Sequence, residues 1–148
     1  MEPALLLANL GSPAAPTPRA IRRFLRAFLG DPRVLDMNPV GRALLLYGLI
    51  LPFRPHRVAH QYRSVWLPEG SPLLVHGRAL AEGVAARLGP GVEVALGMRY
   101  GEPSLARAVA RLGRGGRPIR LLPLYPQYAA STTGAILEAA YRAAARLW

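Results

Sequence analysis

Apolar segments alternate with amphipathic stretches along the 148-residue chain. The segments 4–10, 92–96 and 119–124 are short and apolar, which is typical of strands buried on both faces. The stretches between and after them place apolar residues three and four positions apart, the spacing of an amphipathic helix. Because parallel strands need crossover connections, the pattern predicts an α/β fold in which helices flank a small parallel sheet of three strands.

The first predicted helix has recognisable ends. Thr17 can accept hydrogen bonds from the first amides as N-cap, Pro18 suits the first helical position, and Gly30 ends the helix. We expect its inner face to be Ile21, Phe24, Leu25 and Phe28. Further helices are predicted at 55–65, 71–88, 104–112 and from 133 to the end of the chain. For the helix at 71–88 we expect an inner face of Leu73, His76, Leu80, Val84 and Leu88.

The most apolar segment, residues 43–53, is bounded by Arg and Pro. It is much shorter than the ~20 residues that a membrane-spanning helix needs. We expect a buried helix here, rather than a surface lip that touches a bilayer. The N-terminal apolar run lacks a preceding basic stretch and a small-residue cleavage site, which predicts a cytoplasmic protein without a secretory signal.

Composition narrows the possible chemistry. Hydrophobic residues make up 51% of the chain, which predicts a folded domain with one core. No Cys is present, which excludes disulfides, thiol nucleophiles and cysteine ligands to zinc or an iron–sulfur cluster in this chain. All 19 basic residues are Arg, so a P-loop lysine and Schiff-base chemistry are also excluded.

The segments that follow the three predicted strands are polar, aromatic and rich in glycine: 9–13, 97–101 and 125–134. Ligands of open parallel sheets bind outside the carboxyl ends of the strands, so these segments form the candidate site. Tyrosine rings could pack on a flat apolar ligand, and Arg99 could pair with a carboxylate on it. The amides at 131–134 could receive a second carboxylate.

Six motifs in this order resemble the ferrochelatases, which insert ferrous iron into a porphyrin in the last step of haem synthesis. They are LLLANLGSP, FLRAFLGDPRV, HQYRSVW, EGSPLLVH, GMRYGEPS and LPLYPQYAASTTG. The resemblance implies that residues 1–148 form the N-terminal one of two Rossmann-like, chelatase-type domains, with the porphyrin held between them. The predicted final helix runs to the chain end without a closing strand, as expected of one half of a larger protein.

The resemblance also implies which residues contact the porphyrin: Leu10, Tyr62, Ser71, Arg99, Tyr100, Tyr125, Ser131 and Thr132. An arginine upstream of Tyr62 could join them, and both Arg54 and Arg57 are candidates. The family's catalytic histidine and its partner glutamate belong to the second half, so we expect no catalytic residue and no metal ligand in this chain. Iron would be a substrate, no cofactor is required, and the partner would be a C-terminal half or a second copy.

Other interpretations remain open for several residues. His56 and His60 are spaced four apart, as in a helical metal site, but no carboxylate accompanies them and solvated histidines are expected. His76 is expected to be a hydrogen-bonded core residue. Tyr62 and Tyr100 could be ordinary core aromatics.

The basic stripe on the first predicted helix allows a different class of function. It consists of Arg19, Arg22, Arg23 and Arg26. It is typical of a solvated face, yet with a net charge of +11 it could also bind nucleic acid or an anionic membrane. We expect no nucleic-acid partner, because no recognised binding motif is present. A half-size chelatase acting as a homodimer is the other alternative, and the choice between protoporphyrin and coproporphyrin stays open.

Overall fold

The structure, a computed structural model, describes residues 2–147. Three strands form a parallel sheet: β1 (Ala4–Asn9), β2 (Val94–Met98) and β3 (Ile119–Pro123), in the order β2-β1-β3. The predicted α/β fold is therefore confirmed, although β2 begins two residues later than expected. β1 lies at the centre, and its Leu6 is in register with Ala95 of β2 and Leu121 of β3.

Helices pack against both faces of this sheet, although Arg120 and Leu122 of β3 are exposed on the face opposite Leu6. On the face that carries Leu6, α5 (Leu105–Leu112) and α6 (Ala135–Ala144) pack over the strands. On the opposite face, α4 (Pro72–Leu88) contacts Leu96, where Gly77 leaves room for that side chain. Ser104, the first residue of the predicted helix at 104–112, caps α5 by accepting a hydrogen bond from the Arg107 amide.

The described chain divides into two compact units with separate apolar clusters. Unit 1 comprises the chain up to Gly11 and from His76 onwards, and unit 2 is Ser12–Val75. The cluster of unit 1 surrounds Leu6 and Ile136, whereas that of unit 2 surrounds Ile21. Composition predicts a single core, and that expectation is wrong because residues 12–75 bury an apolar cluster of their own.

In unit 2, α1 (Pro18–Leu29) matches its prediction closely. The Thr17 hydroxyl oxygen accepts a hydrogen bond from the Ala20 amide at 3.3 Å, and Gly30 follows the last turn. Ile21 and Leu25 are buried, and the four arginines of the basic stripe are exposed. The stripe is therefore a solvated face of the helix.

A continuous helical stretch follows, which the sequence indicates only in part. It consists of α2 (Pro39–Ala43), a π-helical segment (Leu44–Ile50) and α3 (Leu51–Val65). The predicted start at residue 55 is wrong: the helix begins well upstream and continues through Pro55. Where the π-helical segment meets α3, the Leu51 amide donates to the Leu46 carbonyl, five residues back, as in a π turn.

The predicted burial of residues 43–53 is also wrong for most of the segment. Leu46 and Leu51 are buried, but Leu44, Tyr47 and Phe53 are 70%, 58% and 62% exposed. Apolarity indicates burial only where an element covers the side chain, and in unit 2 these three side chains have no such cover. None of the helices within residues 2–147 has the length and apolarity to cross a membrane.

Two helix predictions in unit 1 need correction. In α4 the expected inner-face residues His76, Leu80 and Leu88 are exposed, and Gly77 is buried instead. The close contact of Gly77 with Leu96, where a Cβ would lie 3.1 Å from a methyl carbon, sets the rotation of the helix and turns His76 to solvent. The last helix ends at Ala144 rather than at the chain end, and Trp148 lies outside the described residues.

Candidate functional site

The segments that follow the three strands meet at one edge of the sheet, as predicted. The Arg99 amide donates to the Asn9 carbonyl, and the Tyr100 amide donates to the Leu10 carbonyl, both at 2.8 Å. On the other side of β1, the Leu124 amide donates to the Ala8 carbonyl at 2.8 Å. These backbone bonds extend the pairing beyond the strands and bring the predicted site residues of unit 1 to a common edge.

Gly11 allows the closest approach at this edge. Its φ is +107°, and a Cβ placed there would lie 1.9 Å from the Tyr100 carbonyl oxygen. Any larger residue would thus overlap with the Tyr100 backbone, which is less free to move than a flexible side chain. The glycine in the predicted site segment 9–13 is therefore a steric requirement.

Tyr125 and Leu10 are joined through a side chain that the sequence analysis did not select. Asn9 Oδ1 accepts one hydrogen bond from the Tyr125 hydroxyl at 2.7 Å and another from the Leu10 amide at 2.8 Å. Burial raises the pKa of Tyr125, and a hydrogen bond from the Leu10 backbone opposes this rise. The raised pKa keeps the phenol protonated, so it remains a hydrogen-bond donor. Only the position of Asn9 at a strand end could have indicated a role.

Arg99 holds the start of α6. Its Nε donates to the Ala135 carbonyl at 3.0 Å, and its guanidinium carbon lies 4.6 Å from the centroid of the Tyr100 ring. Tyr100 is only 3% exposed, so its ring is a core aromatic that supports Arg99. Tyr125, the other tyrosine predicted to contact the porphyrin at this edge, is partly accessible.

The segment before α6 forms a π-helical turn, Ala130–Gly134, where the sequence predicts the first turn of a helix from residue 133. The amides of Thr132 and Gly134 donate to the Ala129 carbonyl at 3.2 and 3.0 Å, because the wider turn closes on this one acceptor. These two amides are therefore occupied, contrary to the expectation that the amides at 131–134 serve an anion. Ser131 and Thr132 are half-buried at the same turn.

Two predicted contact residues belong to unit 2. Tyr62 is half-buried on α3 and packs edge-on against Trp66, with ring centroids 6.4 Å apart. Burial raises the pKa of Tyr62, and the positive charge of Arg54 partly offsets this effect. Arg54 and Arg57, the two candidates upstream of Tyr62, are both exposed.

Ser71 is 4% exposed, and its hydroxyl has partners within unit 2. Its Oγ lies 2.5 Å from Ser12 Oγ and accepts a hydrogen bond from the Leu74 amide at 3.3 Å. Ser71 thereby caps the first turn of α4 and joins the two ends of unit 2. A ligand contact by this hydroxyl stays a prediction, as do the contacts assigned to the other seven residues.

Other features of the described chain offer no competing site. His56 and His60 are exposed on α3, and among residues 2–147 no three His, Asp or Glu side chains are grouped to hold a metal ion. A cavity of about 310 Å³ lies between β3, α5 and α6, away from the carboxyl edge. Its lining is Leu6, Val109, Ile119, Leu121, Leu137, Ala140, Tyr141 and Ala144. Tyr141 supplies the only polar side-chain atom there, so the cavity lacks the groups that orient a ligand.

Comparison with known proteins gives one consistent family. The sequence model of the Ferrochelatase family matches residues 2–148. Ferrochelatases of Yersinia pestis (strain Pestoides F) and Yersinia pseudotuberculosis (serotype O:3, strain YPIII) are 49% identical to the chain over 142 residues. The match covers 95% of this chain and 44% of each relative, so the chain spans less than half the length of these enzymes.

Proposed function

Because the chain belongs to the ferrochelatase family, we propose that it forms the N-terminal half of an enzyme that inserts ferrous iron into a porphyrin to make haem. The carboxyl edge of the sheet would be one wall of the porphyrin cleft. The observation that carries this proposal is the set of backbone bonds that draws Leu10, Arg99 and the segment leading to Tyr125 to one edge. These are the positions at which the chain carries the motifs of the family.

The chemistry of this edge suits a flat apolar macrocycle that bears carboxylates. Leu10 and the ring of Tyr125 offer apolar area, and the guanidinium of Arg99 offers charge-assisted hydrogen bonds to a carboxylate. The hydroxyls of Ser131 and Thr132, half-buried at the π turn, can donate to a second carboxylate.

Insertion of Fe²⁺ releases the two protons of the pyrrole N–H groups, so the reaction needs a base. In the proposed enzyme a histidine of the C-terminal half accepts these protons, while the wall described here grips the macrocycle and brings a pyrrole nitrogen out of its plane. The complementary wall would come from a C-terminal half or from a second copy of this chain. We therefore expect the chain alone to bind porphyrin without metallating it.

An anaerobic titration tests this proposal. Protoporphyrin and coproporphyrin would each be added to the purified chain while the Soret band is followed, and Fe²⁺ or Zn²⁺ would be added afterwards. A saturable Soret shift without accelerated metallation is the expected result. Absence of binding to both porphyrins would contradict the proposed wall, and metallation above the uncatalysed rate would show that a second copy completes the site.

Arg99 provides the first mutational prediction. Arg99→Ala should weaken porphyrin binding by about 1–3 kcal/mol, because a charge-assisted contact to a carboxylate is lost together with the anchor of α6. Arg22→Ala is the matched control, since it removes an exposed arginine of the basic stripe in unit 2. Equal affinity of Arg99→Ala and the parent chain would remove Arg99 from the site, and a tenfold loss in Arg22→Ala would show that the stripe is functional.

We propose a cytoplasmic location with weak, reversible contact to a bilayer surface. The exposed apolar side chains of Leu44, Tyr47 and Phe53 are followed by the exposed Arg54 and Arg57, a combination that suits anionic lipid headgroups. The chain should sediment with vesicles that contain phosphatidylglycerol and be released by salt. Equal sedimentation with purely zwitterionic vesicles, or none with either, would contradict the headgroup contact.

A further inference from the structure

We propose that Asn9 is the positioning residue of the porphyrin wall: its single carboxamide oxygen holds Leu10 and Tyr125 in the arrangement that faces the macrocycle. This inference rests on the proposed function and adds to it a residue that is absent from the porphyrin contacts implied by the family resemblance. Asn9 would act through the two neighbours that it orders.

The geometry is specific to this oxygen. Asn9 ends β1, and its Oδ1 accepts the Leu10 amide from the same segment at 2.8 Å. The Tyr125 hydroxyl donates to the same atom at 2.7 Å from a residue 116 positions away, in the segment after β3. One acceptor thus connects the segments that follow the central strand and its neighbour.

Each bond fixes a different feature of the wall. The bond to the Leu10 amide fixes the backbone from which the Leu10 side chain projects, one residue before the glycine that lies against Tyr100. The bond to the Tyr125 hydroxyl fixes the ring at its far end, while its body packs with Leu10 against the cluster of unit 1. A side chain of the same size without an oxygen would leave both donors partly buried and without this acceptor, and both segments could then move.

A double-mutant cycle on porphyrin binding tests the inference. Asn9→Leu keeps the size of the side chain and removes the acceptor, and Tyr125→Phe removes only the donor. Each variant should weaken porphyrin binding by about tenfold, the scale of one hydrogen bond with its ordering effect. The double variant should be weaker than Asn9→Leu alone by less than about threefold, because the two changes break the same contact.

Asn9→Asp separates positioning from general structural support. It retains an oxygen acceptor at the same place, so we expect porphyrin affinity within about threefold of the parent chain, consistent with preserved hydrogen bonds. If Asn9 served only stability, Asn9→Leu and Tyr125→Phe would lower the unfolding midpoint, and their effects on porphyrin affinity would be additive. Fully additive losses, or failure of Asn9→Asp to restore affinity, would overturn the positioning role.

Amide hydrogen exchange measured without porphyrin tests the positioning role of Asn9 separately from porphyrin binding. The Leu10 amide should exchange slowly in the parent chain and in Asn9→Asp, and at least about tenfold faster in Asn9→Leu, because its acceptor is lost. Unchanged exchange in Asn9→Leu would overturn the inference even if porphyrin binds. If the parent chain binds no porphyrin, the proposed wall fails, and positioning of the wall by Asn9 fails with it, whatever the exchange rate.

Discussion

Gly11→Ala is expected to destabilise the chain by about 3 kcal/mol or more, the largest effect that we predict for a single methyl group. Two costs add at this position. A φ of +107° is unfavourable for any L-residue, and the new Cβ would lie 1.9 Å from the Tyr100 carbonyl oxygen. Urea unfolding followed by circular dichroism would measure the decrease in the free energy of unfolding. We expect the substitution also to disrupt the edge at which β1 and β2 end.

Gly89→Ala is the matched control for Gly11→Ala. Gly89 also has a positive φ, +78°, and also belongs to unit 1, but no atom lies within 4 Å of a Cβ built on it. Its substitution carries the conformational cost without the clash, and we expect about 1 kcal/mol. If the two variants unfold at the same urea concentration, the contact between Gly11 and Tyr100 does not contribute to stability.

Leu6→Ala should cost about 2–5 kcal/mol, because it removes buried methyl groups and enlarges the cavity beneath α5 and α6. Leu6 is fully buried on the central strand, in register with Ala95 and Leu121. The position of the loss within this range depends on how far the neighbouring helices move into the space that the side chain leaves. The same urea unfolding experiment would measure it.

Leu122→Ala removes the same atoms from a strand of the same sheet and serves as the control for Leu6→Ala. Leu122 is 50% exposed on β3, so we expect a loss below about 1 kcal/mol. Comparable losses in the two variants would mean that the sheet is not centred on β1 in solution, contrary to the strand order described above.

Much of the fold follows from short-range patterns in the sequence. The strands, the crossover helices and the caps at Thr17 and Ser104 are set by residues within one turn or one strand of each other. The exposed segment around Tyr47 and the outward-facing His76 could not be predicted in this way. Their environment depends on which element comes to lie against them, and a repeat of apolar residues carries no information about that.

The candidate site shows the same division. The meeting of three segments at one edge follows from parallel topology alone, so it could be predicted without knowing any contact. The hydrogen bond between Asn9 and Tyr125 joins residues 116 positions apart and depends on the exact register of β1 and β3. The burial of the Tyr100 ring likewise depends on packing, which the Arg-Tyr sequence does not specify.

The contact between Ser12 and Ser71 gives unit 2 the character of an inserted module. The two hydroxyl oxygens lie 2.5 Å apart, so the segment between Ser12 and Ser71 begins and ends at almost the same place. Segments with adjoining ends can be lengthened, shortened or exchanged between proteins at little entropic cost, because a short bridge closes the gap that they leave. Removal or exchange of unit 2 would therefore leave a gap that a short bridge can close, whereas the strands of unit 1 constrain one another through their register.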